Sequence, residues 1–151
     1  MTLGCLCILV SCCLFGYEKY RQNKEIKDLQ KLYSQTIQLI PDTYIPYDSG
    51  YLDVQGHDIQ AVLQAGDIKW VIGKEDNLPH YKNKNIVIPD LYLKQMQSLK
   101  NKDILTIQSI SGYKTQYKLE VIGEVDTLSS DMLYMYCESG SQYYCINLNM
   151  V

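Results

Sequence analysis

The C-terminal stretch of residues 133–150 constrains the fold of this chain more than any other. Residues 133–137 (Leu-Tyr-Met-Tyr-Cys) and 142–150 (Gln-Tyr-Tyr-Cys-Ile-Asn-Leu-Asn-Met) are rich in types that suit a pleated, half-buried surface. Between them, Ser139 and Gly140 supply the positive φ that a tight turn needs. The stretch therefore predicts a β-hairpin, and any fold for this chain must include a sheet that ends in it.

Two of the six cysteines belong to this hairpin. Cys137 ends the first strand, where the sheet would hold its thiol close to solvent, and this makes it a candidate nucleophile. The alternative is that Cys137 is a small buried hydrophobic residue, the commoner role of cysteine. With a two-residue turn at Ser139 and Gly140, Cys137 faces Gln142 and the two thiols stay free. A longer loop would instead allow a disulfide between Cys137 and Cys145.

The other four cysteines lie in an uncharged N-terminal run, residues 3–17. This run is short for a spanning helix and fits either a signal anchor or a lipoprotein signal, for which residues 9–12 (Leu-Val-Ser-Cys) resemble the lipidation site. We therefore expect residues 1–17 to attach the protein to the plasma membrane, by a single pass or by a lipid. Basic residues after the run favour a cytoplasmic domain by the positive-inside rule. The cysteine pattern contains no zinc-binding spacing, so we expect no metal and no cofactor.

The segment after the apolar run predicts a helix. Apolar residues recur at steps of three and four between Ile26 and Ile40, and Pro41 ends the pattern. We interpret residues 18–41 as a helical stalk.

Residues 42–151 predict a mostly β domain. Short apolar segments separated by turn signals every eight to twelve residues indicate a closed or nearly closed β-barrel of seven to eight strands. One internal helix is expected at residues 90–99 with Asp90 as N-cap, one or two helical turns at residues 59–64, and a polar loop at residues 73–84. Nine lysines and fourteen acidic residues give this part a net charge of −5 and no basic stripe, so we expect no nucleic-acid partner.

The order of these segments resembles the sortase family, the bacterial cysteine transpeptidases of the cell surface, over residues 44–151. The segments that carry the resemblance are residues 50–54 for the first strand, 61–66 for a short helical turn, 85–88 for the strand before the histidine, 99–107 for a Leu-x-x-Gly-Asp-like stretch, 112–125 for two strands, and 133–137 for the cysteine strand. The resemblance implies a sortase-like barrel outside the membrane, with Cys137 as nucleophile. It also implies a peptide sorting signal, surface protein or pilin as the partner of an active enzyme.

The sequence departs from that family at two catalytic positions. The family's histidine should follow Ile88, where Pro89, Asp90 and Leu91 stand instead. The family's arginine should lie on the last strand, about where Cys145 is, and the chain has no arginine after Arg21.

The chain's two histidines, His57 and His80, are both predicted in loops and neither stands at the family's position. Of the two, His80 is the candidate acid or base for Cys137, because it precedes the strand at residues 85–88. Its alternative role is that of an exposed loop histidine.

Three hypotheses follow. The chain is an active sortase-type transpeptidase that works through a Cys137 thioester, a sortase-like surface protein that has lost catalysis and binds or scaffolds a partner, or an unrelated anchored β-barrel lipoprotein. The reaction needs a cation beside the thiolate and an acid that protonates the departing amine. The missing histidine and arginine together therefore favour the second hypothesis.

Overall fold

A single curled β-sheet organises the computed structural model, which describes residues 24–46 and 50–151. Helix α1 covers residues 24–39 and precedes the sheet. Between β5 and β6 a 3-10 turn (Asp90–Tyr92) runs into the short helix α2 (Leu93–Gln97). The strands are β1 (Leu52–Val54), β2 (His57–Ala65), β3 (Ile68–Gly73), β4 (His80–Lys82), β5 (Asn85–Val87), β6 (Ile104–Ser109), β7 (Lys114–Val125), β8 (Tyr134–Ser139) and β9 (Gln142–Met150).

The strands form one sheet, which curls into a half-barrel. The order is β1-β2-β6-β7-β9-β8-β5-β4, and β3 pairs with β2 as well. Every described pair is antiparallel except β5 with β8. Strand β3 lies near one end of this order and β4 is the last strand at the other end. Between them, the backbone N–H of Gly73 donates a 2.9 Å hydrogen bond to the carbonyl of Pro79. This bond links the end of β3 to the segment that enters β4.

Helix α1 packs against the same core as the strands. Its Leu29, Leu32 and Tyr33 are buried in the main hydrophobic cluster, and the Tyr33 hydroxyl donates a 3.2 Å hydrogen bond to Gln64 of β2. The helix predicted from the apolar spacing is therefore confirmed within the described residues. Neither described helix is long and apolar enough to cross a bilayer. The predicted anchor, residues 3–17, lies outside the described residues.

The sequence prediction was wrong for two segments. Residues 59–64, expected to form helical turns, belong to β2, and the predicted polar loop at residues 73–84 contains β4. Leu63 packs inside the sheet, and Val62 is buried on the opposite face, which also holds Gln64 and its hydrogen bond to α1. Residues 61–63 are therefore an unbroken apolar run, which interrupts the two-residue alternation of a strand and resembles a helical turn in the sequence. These changes give nine strands instead of seven to eight.

The predicted internal helix is present, but Asp90 does not cap it. Pro89 stands at the N-cap of the 3-10 turn, and no side chain hydrogen-bonds there. Asp90 is the first residue of the turn, and its carboxylate makes no capping bond.

The C-terminal hairpin is confirmed with a different turn. Ser139 pairs with Gln142, so the two-residue turn is Gly140 and Ser141, with Gly140 at φ 64°. The turn therefore lies one residue later than expected, and each residue of β8 faces a partner two positions further along β9. Cys137 faces Tyr144, and Cys145 faces Tyr136.

Candidate functional site

Cys137 lies in β8, between β5 and β9, two residues before the strand ends. Its side chain is fully buried and belongs to the main core together with Met135. The expectation that the strand end keeps this thiol near solvent was wrong. The thiol points inward because it shares the face of Met135, the face that the half-barrel encloses.

Asp90 stands beside this thiol. The Oδ1 atom of Asp90 is 4.0 Å from the Sγ atom of Cys137, and the backbone oxygen of Glu138 is 3.9 Å from the same sulfur. Backbone pairing brings Asp90 here: Ile88 N–H donates a 2.8 Å hydrogen bond to the carbonyl of Tyr136 and extends the parallel pairing beyond β5. The chain then enters the 3-10 turn at the level of Cys137.

The surroundings of Cys137 oppose ionisation of its thiol. Burial, then the charges of Asp90 and Glu138, raise the pKa of Cys137 from 9.0 to about 11. Burial disfavours the thiolate because it removes water from a charge, and a nearby carboxylate disfavours it by like-charge repulsion. A cysteine nucleophile needs the reverse arrangement, with a cation near the sulfur.

His80 lies on the opposite side of the sheet from Cys137. Its register partner is Val87, Val87 pairs with Tyr136, and directly paired residues project from the same face. Cys137 follows Tyr136 and therefore projects from the other face. The Nδ1–H of His80 donates a 2.9 Å hydrogen bond to the Leu78 carbonyl. The described arrangement does not bring His80 and Cys137 together.

His57 is also occupied elsewhere. It begins β2, not a loop, and its Nδ1 lies 2.9 Å from both carboxylate oxygens of Glu75. This ion pair joins the start of β2 to the segment after β3.

Cys145 lies in β9 and belongs to a second, smaller cluster on the outer face of the sheet. It packs there with Tyr134 and Tyr136, and both hairpin cysteines are free thiols. Because Cys137 projects from the inner face, the sheet itself separates the two sulfurs. The residue at the family's arginine position therefore does not reach Cys137 in the described arrangement. Within residues 24–46 and 50–151, no three His, Cys, Asp or Glu side chains are grouped closely enough to hold a metal ion.

A cavity of about 520 Å³ opens between α1 and the 3-10 turn. Its lining combines α1 residues such as Glu25 and Asp28 with Leu78 and with Leu91 and Tyr92 of the turn. Neither Cys137 nor Asp90 lines it, so the cavity and the thiol are separate places in the molecule.

Sequence reasoning missed the role of Asp90 at this site. The available signal was its position, because it follows the apolar strand at the place where the resemblance puts the histidine. The sequence predicts only a helix cap for Asp90, since the resemblance identifies the missing histidine but does not say where the side chain in its place points.

The fold has solved counterparts, although no family model matches the sequence and no curated protein is significantly similar to it. Sortase A from Corynebacterium diphtheriae superposes with a TM-score of 0.51 at 9% identity, over 86% of this chain and 84% of that one. A lid mutant of the same enzyme gives 0.51 at 9% identity, over 88% and 95%. The pilus-related sortase C of Group B Streptococcus gives 0.49 at 14% identity, over 85% and 90%. The chain therefore has a sortase-like fold.

Proposed function

We propose that this chain is a sortase-like surface protein that does not carry out cysteine transpeptidation and instead binds or scaffolds a partner. The observation that carries the proposal is the Asp90 carboxylate 4.0 Å from the buried Cys137 sulfur. An anion occupies the place where thiolate chemistry needs a cation.

The three requirements of the reaction support the same conclusion. With a pKa of about 11, the Cys137 thiol is ionised to only about one part in ten thousand at pH 7. Departure of the amine needs an acid, a contribution of roughly 10²–10⁴-fold, and both histidines are engaged away from Cys137. The oxyanion needs a donor, worth roughly 10²–10³-fold, and the chain has no arginine after Arg21.

A peptide-transfer assay tests this proposal. The full chain is incubated with a family-type sorting peptide and an amine acceptor, beside an active sortase and a Cys137→Ala variant. We expect intact peptide and an unmodified Cys137 by mass spectrometry. A thioester on Cys137 that is absent from the Cys137→Ala variant would restore the transpeptidase, and His80→Ala would then test its acid.

We also propose that the domain lies outside the plasma membrane and that residues 3–17 attach it there. The uncharged run and the resemblance to surface enzymes support this location. Protease added to intact cells should digest the domain, whereas a cytoplasmic protein in the same cells should stay intact. Complete protection of the domain until the membrane is opened would instead place it inside, as the basic residues after the run favour.

A further inference from the structure

The cavity between α1 and the 3-10 turn has the size and lining of a ligand site. Its volume of about 520 Å³ lies within the range of pockets that take small molecules. One part of the wall is apolar and comes from Leu29 and Leu32 of α1, together with Leu78 and Leu91. These side chains offer a surface for an alkyl or aromatic group.

Tyr92 supplies a polar group inside this cavity. Only 3% of its surface is exposed, and its ring stays in place beside Trp70, 6.0 Å between centroids. The Tyr92 hydroxyl has no hydrogen-bond partner among the described residues. No fully enclosed side-chain oxygen or nitrogen in that part of the chain lacks a partner, so this hydroxyl must be open. Tyr92 is one of the residues that line the cavity.

Two carboxylates accompany the hydroxyl. Glu25 and Asp28 stand one helical turn apart on α1, and both line the cavity. Burial, and after it the charge of Glu25, raise the pKa of Tyr92 to about 12. No described cation lies within 4.0 Å of either carboxylate, since the one described ion pair joins His57 to Glu75.

The remaining charges do not cancel this negative character. Lys31 lines the cavity one turn beyond Asp28, and it forms no ion pair within the described residues. Glu75 neutralises His57 whenever that imidazole is charged. Among the described residues that line the cavity, two open carboxylates therefore face one ammonium, and the excess charge is negative.

We propose that this cavity binds an organic cation: a primary ammonium held by Glu25, Asp28 and the Tyr92 hydroxyl, on an apolar body that packs against the leucine wall. A charged hydrogen bond to a carboxylate is stronger than a neutral one, and the face of a tyrosine ring also attracts a cation. The inference goes beyond the proposed function and does not depend on it, because neither Cys137 nor Asp90 contributes to the cavity.

Three probes of equal length separate charge from size. Hexylammonium, hexan-1-ol and hexanoate are titrated separately into the isotopically labelled full chain, and amide shifts of cavity residues are followed by NMR. We expect millimolar binding of hexylammonium, about threefold to tenfold weaker binding of hexan-1-ol, and the weakest binding of hexanoate. Shifts should centre on Leu29, Leu78 and Leu91.

Charge-neutral variants assign the effect to the named groups. A Glu25→Gln, Asp28→Asn double variant should bind hexylammonium about threefold to tenfold more weakly and hexan-1-ol unchanged. Asp67→Asn, an exposed carboxylate in the turn after β2, is the matched control and should leave both affinities unchanged. Equal affinity for the three probes, an unchanged affinity in the double variant, or shifts centred outside the cavity would each overturn the proposal.

Discussion

The two faces of the β8–β9 hairpin each bury one cysteine, and burial raises the pKa of both thiols although only one of them has carboxylates beside it. Cys137 on the inner face and Cys145 on the outer face are both fully buried, and the pKa of each rises to about 11. For Cys145 the cause is burial alone. For Cys137, burial comes first and the charges of Asp90 and Glu138 add to it.

The surroundings of the two thiols account for this difference. Cys145 packs among tyrosines, where Tyr136 and Tyr143 meet edge to face with centroids 5.6 Å apart. Cys137 has a carboxylate within 4.0 Å. A buried cysteine is unreactive wherever it lies, whereas a carboxylate beside the sulfur specifically opposes the nucleophile role. The carboxylates on the inner face therefore oppose a nucleophile role for Cys137. Cys145, whose pKa is raised by burial alone, is the control for the effect of burial.

The largest effect should come from changing Asp90. Asp90→Asn removes a repulsive charge and should lower the pKa of Cys137, and Asp90→His adds a titratable cation and should lower it further. We expect the thiolate fraction at pH 8 to rise about tenfold or more in Asp90→His. The ¹³Cβ shift of Cys137, followed by NMR across pH, measures this without requiring a reagent to reach the buried sulfur.

Cys145 supplies the comparison within the same spectra. Its titration should be the same in both Asp90 variants, because burial alone shifts its pKa. If Asp90→Asn left Cys137 unchanged, burial alone would set both pKa values and the distinction between the two faces would disappear.

A smaller effect should appear in the alkaline stability of the fold. Burial raises the pKa of both thiols from 9.0 to about 11, so between these pH values the folded chain should keep protons that the unfolded chain loses. The contribution of these thiols to the free energy of unfolding should therefore be fully present below pH 9 and should be lost as the pH rises toward 11. Denaturant midpoints at pH 8, 9 and 10 measure this fall.

The matched variant for this measurement is Cys137→Ala with Cys145→Ala. It should lose less stability between pH 8 and 10 than the natural chain does. The part that remains comes from tyrosines whose pKa values burial also raises, among them Tyr33, Tyr92 and Tyr136. Parallel curves for the two chains would contradict the raised thiol pKa values.

Much of the fold could be predicted from the sequence, because local signals mark its strands and turns. The C-terminal hairpin, the helix after residue 90 and the position of Cys137 beside the last strand all follow from residue types within a few positions of each other. Strand β2 could not be predicted, since Val62 is buried on the face that also holds Gln60 and Gln64, and the apolar run at residues 61–63 hides the two-residue alternation. The turn differed by one residue, because Gly140 serves a turn on either side of it.

The candidate site was less predictable than the fold. Sequence patterns identified Cys137 and the missing histidine, but the closeness of Asp90 depends on the pairing of β5 with β8. The cavity was not predicted either. Its wall combines residues of α1 with residues 77–78 and with Pro89, Leu91 and Tyr92. No repeat or residue spacing in the sequence indicates that these segments pack together.

The parallel pairing of β5 with β8 has a consequence for how the chain folds. Strands β8 and β9 are joined by a two-residue turn and close a short loop, whereas Asp90 and Cys137 are 47 residues apart. Long-range contacts form more slowly than local ones, because the entropy of closing a long loop is lost before any contact compensates it. We therefore expect the hairpin to form before β5 docks on it, with Cys137 accessible on that side until docking. A thiol reagent pulsed into refolding protein should label Cys137 during this interval, so that the loss of labelling reports when β5 docks.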